Sequence, residues 1–169
     1  MLKNFELLNK SIEAEDFSAM KKEADEIFES LITTDLKNLH LERYTYSPMQ
    51  AMDELGLDEE LINELVEDYV GQMIKSLVQF EVYLKELENS KSNKMELDYK
   101  LFRELAHKNL GVARNLRIKD SEILLYELIK KDDLKYLLLC IEALKVAIIK
   151  LNPQCAYNTL RLIKIKNFF

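Results

Sequence analysis

One histidine, His107, lies in the middle of a segment whose apolar and polar residues alternate with the period of an α-helix. When residues 98–118 are placed about 100° apart, as in a helix, a group of apolar side chains falls opposite this histidine. That group consists of Leu101, Phe102, Leu105, Val112, Ala113 and Leu116. The face that carries the histidine is polar or small and consists of Lys100, Arg103, Glu104, Gly111, Arg114 and Asn115. The pattern predicts an amphipathic helix that exposes one imidazole to solvent.

The residues around His107 suit a histidine that receives a phosphoryl group. An imidazole titrates near neutral pH, so a neutral and nucleophilic fraction is present under physiological conditions. Gly111, one turn further along the same face, leaves room for the acidic site of a partner protein. Arg103 and Arg114, one and two turns away, are placed to pair with phosphoryl oxygens or with an acidic partner. The alternative is a surface histidine on a basic helix face, without a chemical role.

Composition predicts one all-helical domain, alone or with an appendage. The 169 residues are 48% hydrophobic and 32% charged but include only three Gly and two Pro, too few for the turns of an all-β fold. A net charge of −6 argues against nonspecific nucleic-acid binding. Cys140 and Cys155 lack metal-site spacing and fit a reducing cytoplasm. Because we find neither a signal-peptide pattern nor a membrane-spanning run, we expect a cytoplasmic protein without membrane insertion.

The first part of the chain predicts a helical extension over residues 1–45. Residues 4–12 have apolar side chains at helical spacing, and Asp16 is placed to cap a second helix. Residues 33–46 show weak periodicity and predict a connector. The second histidine, His40, lies in this connector, and we expect no catalytic role for it.

The central part, residues 46–152, predicts an antiparallel, up-and-down four-helix bundle. Ser47 and Gln50 can form a capping box around Pro48, and Gly56 is placed to end the short helix that follows. Further helices are predicted from Asp58 to about Leu87, over 98–118, over 121–130, and from Asp132 or Asp133 to Leu151, with a loop at 88–94. Connections this short favour antiparallel neighbours. The remainder, 153–169, is predicted to be a tail with a helical first half and a basic, aromatic end.

The segment from Ala106 to Leu116 resembles the signature of histidine-phosphotransfer (HPt) domains, which reads roughly Ala-His-x-Leu-Lys-Gly-x-Ala with a further core leucine. The residues that match in register are His107, Gly111, Ala113 and Leu116. The helix order over 47–152 also suits the four-helix bundle of that family. The resemblance implies a phosphorelay protein that carries a phosphoryl group on His107, with a receiver domain, a histidine kinase or both as partners. The binding surface that we expect around the histidine comprises Arg103, Lys108, Leu110, Gly111 and Arg114.

Two positions depart from the HPt pattern, because Asn109 replaces the leucine and Leu110 replaces the lysine. On the helical wheel Asn109 falls inside the apolar arc, so we expect it to form hydrogen bonds with a neighbouring helix. Leu110 falls at the edge of that arc. Arg103 or Arg114 is the expected substitute for the lysine, since Lys108 lies about 100° from the direction of the histidine. The departures leave open a degenerate domain that binds a receiver without being phosphorylated.

A second segment, Asp68 to Lys75, resembles the active segment of the chemotaxis response-regulator phosphatase. Asp68 and Gln72 are four residues apart and share a helix face. In that family the corresponding residues engage the receiver and orient the attacking water. A third alternative is a noncatalytic helical adaptor that binds through its N-terminal segment or its tail. The sequence contains no Gly-rich phosphate loop and no histidines at metal spacing, so we expect no cofactor and no metal.

Overall fold

The computed structural model describes residues 4–43, 45–165 and 167–169, and within these ranges it contains helices but no strand. The α-helices are α1 (Glu6–Glu13), α2 (Phe17–Thr33), α3 (Met49–Leu55), α4 (Glu59–Ser92), α5 (Lys100–Asn115), α6 (Lys119–Lys130), α7 (Leu134–Leu151) and α8 (Pro153–Leu162), and Lys37–Leu39 form a 3₁₀ helix. The predicted all-α fold is confirmed. No helix in the described ranges combines the length and the apolar character needed to cross a membrane.

Three aspartates begin helices where the sequence predicts them. Asp16, Asp58 and Asp133 each accept a hydrogen bond from the backbone N–H three residues later, at 3.0, 2.9 and 3.0 Å. Each carboxylate thereby satisfies an N–H that the helix itself leaves unpaired. Asn152 separates α7 from α8 and caps α8, with Pro153 at the first helical position. These boundaries follow from local signals, which explains why the sequence predicts them well.

The end of α4 and the start of α6 are among the boundaries that differ from the sequence prediction. α4 continues to Ser92, through most of the segment that we expected to be a loop. That segment contains neither glycine nor proline, so nothing in it stops a helix that tertiary contacts already hold. α6 begins at Lys119, and Asp120 lies in its first turn rather than at the cap. The Oδ1 atom of Asp120 accepts the N–H of Ser121, the next residue, at 2.8 Å.

The N-terminal cap of α3 is weaker than the sequence suggests. Ser47 Oγ accepts the Met49 N–H at 3.4 Å, near the limit for a hydrogen bond. The side chain of Gln50 donates to Glu54 within α3, so the expected capping box does not form. The expected end is confirmed, because Gly56 has a left-handed φ of 66° that favours glycine.

Each of the helices α4, α5, α6 and α7 packs against two others of this group. α4 contacts α5 and α7, and α6 contacts the same two helices. Between α4 and α5, the rings of Phe80 and Phe102 meet edge to face with centroids 5.1 Å apart. α8 packs on α4 and α7. A Cβ added at Gly71 would lie 3.5 Å from Thr159 Oγ1, an ordinary van der Waals contact between α4 and α8.

The N-terminal helices belong to the same apolar core as the rest of the chain. α2 packs along α7, and α1 packs on α2. Phe5, Leu8 and Phe28 are fully buried in the cluster that also contains the buried side chains of α4 to α7. The ring of Phe5 stacks on Phe169 with centroids 4.5 Å apart. The predicted domain boundaries stay predictions, because shared packing does not tell whether a segment folds independently.

Candidate functional site

His107 lies in the middle of α5 and is exposed. Within the described ranges, no hydrogen bond or ion pair joins its ring to another residue. Gly111 follows one turn later and is also exposed, and a Cβ built on it would meet no atom within 4 Å. The sequence therefore places the histidine on the surface correctly, and the open space beside it is present.

α5 is rotated about its axis relative to the sequence expectation. Leu101, which we placed in the apolar group, is 55% exposed. Leu110, which we placed at the edge of that group and on the binding surface, is only 5% exposed. Ala106 and Ala113 are fully buried and mark the centre of the packed side. His107 consequently lies toward one edge of the exposed arc, and Leu110 offers almost no side chain to a docking protein.

Arg103 lies one turn before the histidine and is half-buried. Its guanidinium carbon is 4.6 Å from the centroid of the Tyr99 ring, a cation–π contact. The Tyr99 hydroxyl donates to the backbone oxygen of Asp132 at 2.8 Å, which fixes the ring to the connection between α6 and α7. Burial raises the pKa of Tyr99, which keeps its hydroxyl a neutral donor. Stacking thus orders the Arg103 side chain, and no described carboxylate pairs with its guanidinium.

Arg114 and Lys108 differ from Arg103 in their partners. Arg114 Nε donates to Glu122 Oε1 of α6 at 3.1 Å, so its charge is already partly compensated. Lys108 is exposed and forms no ion pair with any residue that the structure describes. Of the two arginines that we expected to replace the family lysine, Arg103 is therefore the one whose guanidinium lacks a carboxylate partner.

Asn109 is fully buried on the opposite side of α5 from the histidine and makes three hydrogen bonds. Its Nδ2 donates to Ser76 Oγ of α4 and to the backbone oxygen of Leu105, both at 3.0 Å. Its Oδ1 accepts from Gln72 Nε2 of α4 at 3.2 Å. The expectation that Asn109 bonds a neighbouring helix is confirmed. These contacts fix the rotation of α5 against α4 and so determine the direction in which His107 faces.

The second candidate pair, Asp68 and Gln72, lies on α4 beside this contact. Asp68 is exposed, and Gln72 is half-buried. The amide nitrogen of Gln72 is the donor to Asn109, so this side chain takes part in the packing of α4 against α5. The structure brings Gln72 to the helix that carries His107, and one of its two amide N–H donors is already engaged there.

Two apolar side chains of α6, which the sequence analysis did not single out, are exposed at the level of His107 along the helices. The contacts of Arg114 with Glu122 and of Tyr99 with Asp132 show that α5 and α6 run antiparallel. This register brings Ile123 and Tyr126 level with the turn between His107 and Gly111, and their exposed fractions are 39% and 49%. The pairing of the two helices, which sequence periodicity does not encode, was needed to find them.

The exposed side of α5 is a basic surface on an acidic protein. It carries Lys100, Arg103, Lys108 and Arg114 with one carboxylate, Glu104, whereas the whole chain has a net charge of −6. Such a surface attracts negatively charged partners and ligands.

In comparisons with known proteins, no family model, no curated protein and no solved structure matches this chain.

Proposed function

We propose that this protein is a histidine-containing phosphotransfer protein of a two-component phosphorelay. In this proposal His107 exchanges a phosphoryl group with the aspartate of a receiver domain. The observation that carries the proposal is the exposed imidazole in the middle of α5 beside the open space at Gly111. Reacting atoms must approach to about 3–3.5 Å, so a donor protein needs a surface with no side chain in its path. We further propose a cytoplasmic location, which fits the free thiols Cys140 and Cys155.

The transfer step uses the lone pair of one imidazole nitrogen. This nitrogen attacks the phosphorus of the receiver's aspartyl phosphate and forms an N–P bond. The P–O bond to the aspartate breaks, and its electron pair leaves on the carboxylate. The other ring nitrogen keeps its proton, and the same step in reverse passes the phosphoryl group to a second receiver.

Arg103 is the cation that we assign to the phosphoryl oxygens. It lies one turn from His107, and its contact with Tyr99 orders the side chain before the donor arrives. An ordered guanidinium loses less entropy when it forms charge-assisted hydrogen bonds. Lys108 and Arg114 then contribute to the long-range attraction of an acidic receiver.

We propose that α4, α5, α6 and α7 form the four-helix bundle of such a protein, with α1, α2, α3 and α8 as additions. The contacts that support this arrangement are those of α4 and of α6 with both α5 and α7. A bundle gives a reactive histidine a rigid helix, whereas a loop would leave its position variable.

The alternative of a receiver phosphatase is less well supported. It requires the Gln72 amide to orient a water molecule, yet one N–H of that amide donates to Asn109 and holds the side chain against α5. The alternative predicts that Gln72→Ala abolishes dephosphorylation of a receiver and that His107→Gln leaves it unchanged. Our proposal predicts the opposite dependence for phosphoryl uptake.

Phosphoramidate, a small P–N donor, tests the proposal without knowledge of the partner. We expect mass spectrometry to show one phosphoryl group on the wild-type protein, lost in acid and retained in base. His107→Gln should remove this label. His40→Asn is the matched control, since His40 is the other of the two histidines and has a φ of 50° that asparagine tolerates.

Two outcomes would contradict the proposal. A wild-type protein that gains no phosphoryl group would favour the degenerate receiver-binding domain. A label that survives His107→Gln but disappears in His40→Asn would place the chemistry in the connector before α3.

A further inference from the structure

A long part of the chain around α3 and the first half of α4 carries only negative charge. Residues 45–74 contain no Lys, Arg or His. Their acidic residues are Asp53, Glu54, Asp58, Glu59, Glu60, Glu64, Glu67 and Asp68. Because the whole chain has a net charge of −6, all other residues together carry +2. The negative charge of this protein is thus concentrated at one end of its longest helix.

Two leucines are exposed within this acidic region. Leu61 and Leu65 are 44% and 39% exposed, although leucine at helical spacing is usually buried. With their spacing of four they share a face of α4 with Asp68 and Gln72. The contact of Gln72 with Asn109 shows that this face points toward α5.

The leucines are exposed because α5 is shorter than α4. The two helices have 16 and 34 residues, or about 24 and 51 Å. The contacts of Phe102 with Phe80 and of Asn109 with Ser76 set an antiparallel register, in which α5 ends before it reaches Leu65. Leu61 and Leu65 therefore lie on α4 beyond the end of the helix that covers its middle.

Helix capping explains only part of the acidic charge. Asp58 caps α4, and Glu59 and Glu60 lie in its first turn, where negative charge interacts favourably with the helix dipole. This effect falls off within one turn. Glu64 and Asp68 lie beyond it and are exposed, and neither forms a salt bridge with a described residue.

We propose that the acidic α4 surface, defined as Leu61, Leu65, Glu60, Glu64 and Asp68, docks an amphipathic helix of another protein. The docked helix presents leucine-like side chains to the two leucines and Lys or Arg to the carboxylates. Helix recognition of this kind combines apolar anchors at three- and four-residue spacing with charges that set orientation. The carboxylates of Glu64 and Asp68, which form no salt bridge with a described residue, are the feature that selects a basic partner.

This inference goes beyond the proposed phosphotransfer and does not depend on it. His107 is level with Ser76 of α4 in the same register, about 16 Å along the helix from Leu65. A helix bound at the acidic α4 surface leaves the histidine accessible. Variants of Leu61 and Leu65 should therefore keep the phosphoramidate label on His107.

Fluorescence anisotropy of labelled model peptides tests the inference with the full-length protein. The probe is a 15-residue helix of leucine and lysine in amphipathic order, and a peptide with glutamate in place of lysine is its control. We expect the lysine peptide to bind and the glutamate peptide not to bind. The variants L61Q/L65Q and E64K/D68K should each weaken binding of the lysine peptide about tenfold, or about 1.4 kcal/mol.

The far half of the same helix provides the matched control variant. Val82 is 45% exposed and Glu86 is exposed, so V82Q/E86K makes the same kinds of change outside the acidic α4 surface. It should change the affinity by less than about twofold. Equal loss of binding in V82Q/E86K, or equal binding of both peptides, would overturn the inference. Self-association of the protein that L61Q/L65Q abolishes would also overturn it, in favour of a second copy of this chain.

Discussion

The two sides of α5 carry similar polar residues in opposite situations. On the outer side, His107 is exposed and has no described hydrogen-bond partner, and Gly111 beside it leaves open space. On the inner side, Asn109 is fully buried and makes three hydrogen bonds, two of them to Ser76 and Gln72. The residues on the two sides are only two positions apart.

Burial distinguishes a polar residue with a structural role, Asn109, from one that is free of packing constraints, His107. A buried polar group costs free energy unless it is hydrogen-bonded, so Asn109 is held by its partners. An exposed imidazole has no such requirement, so its surroundings are free to suit a reaction. The two candidate sites differ in the same way, because Gln72 takes part in the packing of α4 against α5 and His107 does not.

The largest effect that we expect is a loss of stability when Asn109, on the inner side of α5, is replaced. Asn109→Ala should lower the free energy of unfolding by about 2–3 kcal/mol, since it leaves Ser76 and Gln72 without partners and opens a cavity. His107→Ala should change it by less than about 0.5 kcal/mol. Urea denaturation followed by circular dichroism measures both. Similar losses for the two variants would mean that the inner and outer sides do not differ as described.

Replacing Asn109, Ser76 and Gln72 together by apolar residues should restore most of that stability. In the triple variant Q72L/S76A/N109L none of the three replaced side chains remains as an unpaired polar group, because both sides of the contact change together. We expect its free energy of unfolding to lie within about 1 kcal/mol of wild type. A triple variant as unstable as Asn109→Ala would show that shape, rather than hydrogen bonding, holds α5 in place. N109L alone serves as the control that leaves Gln72 and Ser76 unpaired.

Sequence periodicity predicts the helices and the exposure of His107 but not how the helices face one another. Caps such as Asp58 and Asp133 act within one turn, so the sequence alone reveals them. The burial of Leu110 and the exposure of Leu101 depend on which helices cover α5. That information comes from contacts between distant residues, such as Arg114 with Glu122. The exposure of His107 was therefore predictable from the sequence, whereas the side chains that surround it were not.

Gly111 offers a smaller test of the open outer side. Gly111→Ala should raise the free energy of unfolding by about 0.5–1 kcal/mol, because alanine has the higher helix propensity and its Cβ meets no atom within 4 Å. Thermal unfolding measures the gain, and phosphoramidate should still label His107. Gly71→Ala is the comparison at a packed glycine, where the added Cβ would contact Thr159. A loss of stability in Gly111→Ala would show that the space beside the histidine is filled.

Arg114 should affect stability little, and the rate of labelling distinguishes it from Arg103. Arg114→Ala removes an exposed ion pair with Glu122 and should cost about 0.5 kcal/mol or less. Arg103→Ala should slow labelling of His107 by phosphoramidate on the order of tenfold, because it removes the guanidinium that has no carboxylate partner. Arg114→Ala should slow it less, since Glu122 already compensates part of that charge. If Arg114→Ala slowed labelling more, its pair with Glu122 would have to open when the phosphoryl group arrives. The cation that replaces the family lysine would then lie on the C-terminal side of the histidine, as the lysine does in the HPt pattern.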